Sequence, residues 1–282
     1  MGRIVVGYDG SEQAVAAVDW AAGEAARRGS ELLVLESWHE PTFGGSSMVD
    51  RWMDPQAEER EERDAFDLYI SGLQDRFPDL TITGELHAER AATALIAASA
   101  HAELVVVGAR GRGGFASLLL GSVSRKVAWG AECTVVVLRG APMPGGPVVV
   151  GVDGSAGSRH ALHRAADAAR AAGVPLHVVM GWHPLAPVGE HGPMPFYAGY
   201  TTDDAEATAQ AIVTQVLGAS PGVDVQVEAV CDSAAKALVD RAAGASLVVV
   251  GPGTTGTTAR SGGSVAAPVL AHATCPVVIA RP

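Results

Sequence analysis

The chain is expected to fold as two tandem α/β units, each a doubly wound, five-stranded parallel sheet of order 3-2-1-4-5 with helices on both faces. Three observations carry that expectation. First, the sequence repeats itself. Ile4-Val-Val-Gly-Tyr-Asp-Gly-Ser11 returns as Val148-Val-Val-Gly-Val-Asp-Gly-Ser155, and Leu104-Val-Val-Val-Gly108 returns as Leu247-Val-Val-Val-Gly251. Cys133-Thr-Val-Val-Val returns as Cys275-Pro-Val-Val-Ile, and Trp38-His39 returns as Trp182-His183. Four matches in one order make two copies of one domain, within the 282 residues. Second, short β-branched runs alternate with alanine-rich periodic segments, which is the pattern of a parallel sheet wrapped by helices. Third, hydrophobic residues make up 48% against 18% charged, enough apolar surface to bury a core. The copies divide as 1–140 and 147–282. Between them, 141–146 is a Gly/Pro-rich linker, stiffened at its prolines.

In the first copy, Arg3–Tyr8 reads as a buried strand ending in Asp-Gly. Ser11 is placed to cap a helix running to about Arg28. Leu32–Trp38 is the second strand, followed by a polar loop with Pro41, Gly44 and Gly45. A charged amphipathic helix is expected from about Asp54 to Phe77, its charges forming a solvated face. Thr81–Leu86 is strand three, Ala91–Ala100 a helix and Glu103–Val107 strand four. A glycine-rich loop leads into a helix over roughly Ser117–Gly130, and Thr134–Arg139 is the last strand.

The formal charge of −11 argues against non-specific nucleic-acid binding, which depends on neutralising phosphates. No apolar run is long enough for a membrane-spanning helix, and the start MGRIVVGYDGS carries no signal-peptide pattern, so a cytoplasmic location without membrane contact is expected. The three cysteines, Cys133, Cys231 and Cys275, are scattered and form no CxxC, so buried free thiols are expected. His160 and His163 are three apart on an expected helix, but no further ligands can be placed, and no metal site is expected. Asp203-Asp204 and Glu58-Glu59 suit capping and solvation.

Ligands of doubly wound sheets bind at the carboxyl ends of strands where the winding reverses. With order 3-2-1-4-5, the end of the first strand, Tyr8-Asp9-Gly10, faces the end of the fourth, Gly108-Ala-Arg-Gly111. Glycines in that loop allow close backbone approach, and Gly121-Ser122 near a helix start favours an anion. Arg110 and Arg112 add positive charge, Ser122 and Ser124 add hydroxyl donors, and Asp9 supplies an acceptor opposite. These residues suit a nucleotide; a tight turn with exposed arginines is the plainer alternative. The loop lacks the lysine of a Walker A motif, Asp9-Gly10-Ser11-Glu12 is not a dinucleotide fingerprint, and there is no GxSxG elbow.

The assembled residues resemble the universal stress protein family in its tandem form. The signature of that family's ATP-binding branch, G-x2-G-x9-G-[ST], is matched from Gly108 through Gly111 to Gly121-Ser122. The resemblance implies ATP, with a divalent cation such as Mg held mainly by the phosphates and water. It implies that Tyr8, Asp9 and Ser37 hold the adenine and ribose side, with Val107 and Gly108 near the ribose. Arg110, Gly111, Gly121, Ser122, Val123 and Ser124 would wrap the phosphates. It further implies domain pairing through edge strands and a homodimer.

The second copy departs from the pattern. Asp153 is kept and Gly263-Ser264 aligns with Gly121-Ser122, but one residue is missing between Gly251 and Gly263, with Gly253 as the middle glycine. Pro252 removes a donor there. Threonines or glycine stand where Arg110 and Arg112 would, leaving Arg260 as the nearby cation. Val152, Asp153, Gly181, Val250, Gly251, Gly253, Gly263, Ser264 and Val265 are the counterpart residues, and a retained but weaker site is expected. An ATP-binding regulatory protein is the leading reading. A slow ATPase or nucleotidyl-transfer enzyme and a non-nucleotide dimerisation scaffold are the alternatives. The acidity is uneven: residues 1–141 carry a net charge of −8 and residues 142–282 a net charge of −3.

Overall fold

The computed structural model describes residues 2–38, 55–112, 119–140, 143–183, 200–253 and 263–282, with the backbone alone at 55–58. The chain forms two compact units, Met1–Leu138 and Arg139–Pro282.

In the first unit, β1 (Arg3–Tyr8), β2 (Glu31–Ser37), β3 (Ile82–His87), β4 (Leu104–Gly108) and β5 (Thr134–Leu138) form a parallel sheet. The pairings give the order β3-β2-β1-β4-β5. The fold class read from the sequence is therefore observed. The winding reverses between β1 and β4, which are direct neighbours through Ile4–Leu104, Val5–Val105 and Val6–Val106. Both faces of the central strands are covered, so Ile4, Val5, Val6, Val105 and Val106 are fully buried. That double burial is why these runs are continuously apolar rather than alternating.

The helices are α1 (Glu12–Arg28), α2 (Pro55–Arg76), α3 (Ala91–Ser99) and α4 (Ser122–Gly130). α1 starts where the Ser11 side chain accepts from the Ala14 N–H, and ends at Gly29, whose φ of 66° lets its N–H reach the Ala25 and Ala26 carbonyls. Its buried stripe is almost all alanine: Ala14, Ala17, Ala21, Ala22 and Ala25, with Val18. Small side chains let this helix lie close to the sheet. α2 starts at Pro55, consistent with proline's tolerance in a first turn, and buries Phe66, Ile70 and Leu73. Neighbouring strand residues point to opposite faces. Gly7 faces Leu95 of α3, whereas the Tyr8 ring stacks on Tyr69 of α2, so α2 and α3 cover opposite faces.

The fourth helix begins later than the sequence suggests. Leu119 and Leu120 continue the apolar periodicity of the expected Ser117–Gly130 helix, yet α4 starts at Ser122. Gly121 is extended, with φ −68° and ψ 157°, and Leu119 is 52% exposed. Ser117 itself lies outside the described residues, as do Pro41, Gly44 and Gly45 of the polar loop and the linker residues 141–142.

The second unit repeats the plan with β6 (Val148–Gly151), β7 (Leu176–Gly181), β8 (Val225–Val230), β9 (Leu247–Val250) and β10 (Val277–Ile279). These strands are parallel in the order β8-β7-β6-β9-β10. The helices are α5 (Ala156–Ala172), α6 (Thr202–Leu217), α7 (Ala234–Ala242) and α8 (Ala266–His272). α5 reproduces α1 closely: Ser155 accepts from the Ser158 N–H, Gly173 closes the helix at φ 64°, and Ala161, Leu162, Ala165, Ala166 and Ala169 are buried. Asp203 and Asp204 lie in the first turn of α6, where Thr201 and Asp204 make a capping box. Glu59 pairs with Arg63 one turn on, on the exposed side of α2.

Candidate functional site

At the switch point of the first unit, a cavity of about 400 Å³ opens between the ends of β1 and β4. Its walls come from six elements, α1 among them through Ala14. Tyr8 ends β1 and Asp9 follows it; Val107 and Gly108 end β4, with Arg110 and Gly111 after it; Gly121 caps α4, and Ser122, Val123 and Ser124 open it. Leu35 of β2 and Ala91 and Leu95 of α3 supply an apolar wall. The cavity is thus apolar on one side and rich in backbone and hydroxyl groups on the other.

The glycines are needed by close approach. A side chain at Gly111 would collide with the Asp9 carboxylate. One at Gly108 would stand 3.0 Å from the Gln13 carbonyl oxygen, and one at Gly121 would stand 3.2 Å from the Ala109 carbonyl oxygen. Asp9 organises the turn. Its Oδ1 accepts from the Ser11 N–H at 3.1 Å and from the Ser11 hydroxyl at 2.6 Å. Its Oδ2 accepts from the Arg112 N–H at 2.9 Å. Gln13 Oε1 accepts from the Arg110 N–H at 2.7 Å. The loop after β4 is therefore held to α1 and to the end of β1 by side-chain acceptors on two of its N–H groups.

α4 has no side-chain cap at its N-terminus, because Gly121 stands at the cap position. Its opening N–H groups, with the positive end of the helix dipole, belong to residues that line the cavity. Ser122 lines the cavity at this point. Ser124 behaves differently from the donor expected of it. Its hydroxyl donates to the Gly108 carbonyl at 2.7 Å, with the Ala109 carbonyl at 3.2 Å, and its side chain is buried. A hydroxyl has one proton, so Ser124 ties α4 to β4 and keeps only its acceptor capacity.

The two loop arginines diverge. Arg110 lines the cavity. The Arg112 side chain turns away from it, onto a pair of carboxylates: Nη2 lies 3.7 Å from Glu36 Oε1 and Nη1 lies 3.3 Å from Glu62 Oε1. The guanidinium packs over Gly10, whose φ of 71° and missing side chain make the room. Glu36 is 3% exposed. Burial, with the Glu62 carboxylate beside it, pushes its carboxyl up to about 7 against the opposing pull of Arg112. Tyr8 lines the cavity through its place on the strand, while its ring stacks on Tyr69 at 4.2 Å on the opposite face of the sheet. Burial and the nearby Glu36 raise its phenol above the ordinary value.

Ser37 ends β2 outside the cavity lining, and its hydroxyl is buried with no hydrogen-bond partner among the described residues. Glu36, Glu62 and Gln13 belong to no motif of the sequence. Glu36 had a readable signal, since it is a lone carboxylate closing the apolar run Leu32–Leu35. Gln13 and Glu62 had none.

The second unit has a cavity of about 510 Å³ at the matching place, lined by Val152, Asp153, Val250, Gly251, Gly253 and the Gly263–Val265 turn. Gly181 sits outside that lining, against the backbone of Ala234 at the start of α7. Asp153 repeats the role of Asp9 toward its own helix, accepting from the Ser155 N–H at 2.9 Å. Burial would raise its carboxyl, but hydrogen bonds from Ser155 and Ser158 together hold it below the usual range. The helix start differs. Gly263, Ser264 and Val265 form a turn, and α8 begins only at Ala266 and runs seven residues. Pro268 explains the delay. Proline is tolerated in a first turn and clashes deeper in a helix, so α8 cannot begin at Ser264 as α4 begins at Ser122. Arg260 lies outside the described residues.

Among the described residues, no group of three or more His, Cys, Asp or Glu side chains is placed to hold a metal ion. Nor is any described helix long and apolar enough to cross a membrane. Cys133 and Cys275 are buried free thiols, and Cys231, expected to be buried with them, is exposed just after β8.

A doubly wound unit present twice, with a glycine-lined cavity at each switch point, defines the class: a tandem α/β protein. The family model described as the universal stress protein family matches residues 1–139 and again residues 146–281, and the chain belongs to that family. Universal stress protein Rv2005c of Mycobacterium tuberculosis is 35% identical over 289 residues, covering 99% of this chain and 96% of that protein. A universal stress protein of Mycolicibacterium smegmatis is 32% identical over 298 residues, covering 99% and 97%. The crystal structure of a universal stress protein from Archaeoglobus fulgidus superposes with a TM-score of 0.71 at 20% identity, covering 99% of this chain and 96% of that one, and so bears on the fold.

Proposed function

We propose that the protein is an ATP-binding regulatory member of its family, with the first unit as the principal nucleotide site. The observation that carries this reading is the uncapped start of α4 at Gly121-Ser122, on a cavity that also holds Arg110 and the glycines after β4. Backbone N–H groups at such a helix start, with the dipole behind them, attract phosphate oxygens. Gly108, Gly111 and Gly121 leave room for phosphates to approach the backbone. Leu35, Ala91 and Leu95 suit an apolar base face. Asp9 faces the same space, although its oxygens are already engaged with Ser11 and Arg112. A divalent cation such as Mg would be held by the phosphates and by water.

The second unit is proposed as a weaker site, because its helix begins later and Pro252 and Pro268 each remove an N–H. Regulation would follow from nucleotide-dependent conformation or partner binding, in a homodimer in the cytoplasm. Gently purified protein, denatured and analysed by chromatography, is expected to release adenine nucleotide. Protein that is empty and also fails to bind added ATP would refute the reading.

A further inference from the structure

We infer that Glu36 and Glu62 form a proton-operated latch on Arg112 that sets the nucleotide affinity of the first-unit site. The inference rests on the ATP reading of that site and names its regulation.

The geometry is specific. Arg112 is one residue beyond Gly111, which lines the cavity, so its side chain has two destinations. One is the cavity mouth, where phosphates would lie. The other is the acidic pair, where the structure places it, 3.7 Å from Glu36 and 3.3 Å from Glu62. The Arg112 backbone stays fixed in either case by its N–H bond to Asp9. Only the side chain needs to move, and it is 58% exposed.

Among the described residues, several charged and titratable groups bear on the balance at Glu36. β1 contributes Tyr8, its register partner, and then Asp9. α2 contributes Glu62, the turn after β4 contributes Arg112, and β3 places apolar Leu86 beside it. The neighbours of Leu86 on that strand, Glu85 and His87, pair with each other at 2.9 Å. With Glu36 and Glu62 both ionised, two carboxylates face one guanidinium, and Asp9 adds a third negative charge near Glu36. They hold Arg112 and repel incoming phosphates. When Glu36 takes up a proton from solvent, the two carboxyls share it in a hydrogen bond and one negative charge is lost. Arg112 is then held less strongly and is available to an anion. Burial places this protonation in the neutral range. Nucleotide affinity therefore rises as pH falls through neutrality.

The test is calorimetric titration of the full chain with MgATP between about pH 6 and about pH 8, on the parent, Glu36→Gln and Glu36→Asp. The phosphates' own titration is common to all three. Over that range the parent should lose about fivefold in affinity beyond any change in Glu36→Gln, the low end of coupling between linked sites. Glu36→Gln should hold the parent's low-pH affinity throughout, and Glu36→Asp should restore the dependence. A Glu36→Gln profile parallel to the parent's overturns the latch and leaves ATP binding intact. No binding by the parent at any pH overturns the ATP reading, and the latch with it. Should the Glu36 variants fold poorly, carboxyl titration of the parent and of Arg112→Ala by 13C NMR decides the matter. A Glu36 titration in the neutral range, moved upward by Arg112→Ala, supports the latch; titration in the ordinary glutamate range, or indifference to Arg112→Ala, overturns it.

Discussion

Asp9 accepts the Arg112 N–H at 2.9 Å, joining the end of β1 to the loop after β4 across the switch point of the first unit. The same carboxylate holds Ser11, the cap of α1, through two further hydrogen bonds. One side chain therefore fixes both a helix start and the loop that borders the cavity.

Asp9→Ala should release that loop. Each lost hydrogen bond to a charged acceptor is worth about 1.5–3 kcal/mol at most, and the three share one partly exposed group. The expected outcome is a loss of ATP affinity of about tenfold or more, with a modest fall in stability. Calorimetric titration and thermal melting of the same preparation separate the two effects.

The glycines of the first unit divide into two kinds. Gly111→Ala places a methyl against the Asp9 carboxylate and should weaken ATP binding. Gly23 is exposed within α1, with nothing within 4 Å of a side chain placed there. Gly23→Ala should instead raise stability by about 0.5–1 kcal/mol without touching affinity, through the helix propensity of alanine. Denaturant melts of both variants check the contrast.

Glu36 also affects stability. Its carboxyl is raised to about 7, so the folded state binds the proton more tightly than the unfolded chain does. Stability must then fall as pH rises from the unfolded glutamate value through the folded one. Glu36→Gln, which cannot ionise, should be more stable than the parent at about pH 8 by an amount on the order of 1–3 kcal/mol. The difference should vanish near pH 4. Urea melts at the two pH values measure it.

The cysteines should react unequally. Cys231 is exposed, whereas Cys133 is buried and burial pushes the Cys275 thiol up to about 11. A thiol reagent applied to the native protein should modify Cys231 first, with the other two protected until unfolding. Peptide mass mapping after brief labelling reads the order.

Much of this architecture is legible in the sequence because it rests on local rules. Ser11 and Ser155 announce helix starts, Gly29 and Gly173 announce helix ends, and the valine runs announce strands covered on both faces. The spacing of Gly108, Gly111 and Gly121 brings one cavity into view before any coordinates. What stays hidden depends on side-chain direction. Ser124 reads as a phosphate donor, but its proton goes to Gly108. Arg112 reads as positive charge beside an anion, but two carboxylates from β2 and α2 hold it. The delayed start of α8 was readable, since Pro268 forbids an earlier one, whereas the delayed start of α4 was masked by the apolar periodicity of Leu119 and Leu120.

The most direct test is ATP binding by the parent and by Gly121→Leu, measured by equilibrium dialysis. Gly121 has φ −68°, so a leucine there strains no backbone, and its side chain enters the space beside the Ala109 carbonyl at the start of α4. A parent that binds ATP tightly at one site per chain, with that site lost in Gly121→Leu while the protein still melts cooperatively, is the predicted result. Unchanged ATP affinity in Gly121→Leu would contradict the placement of the phosphates at this helix start.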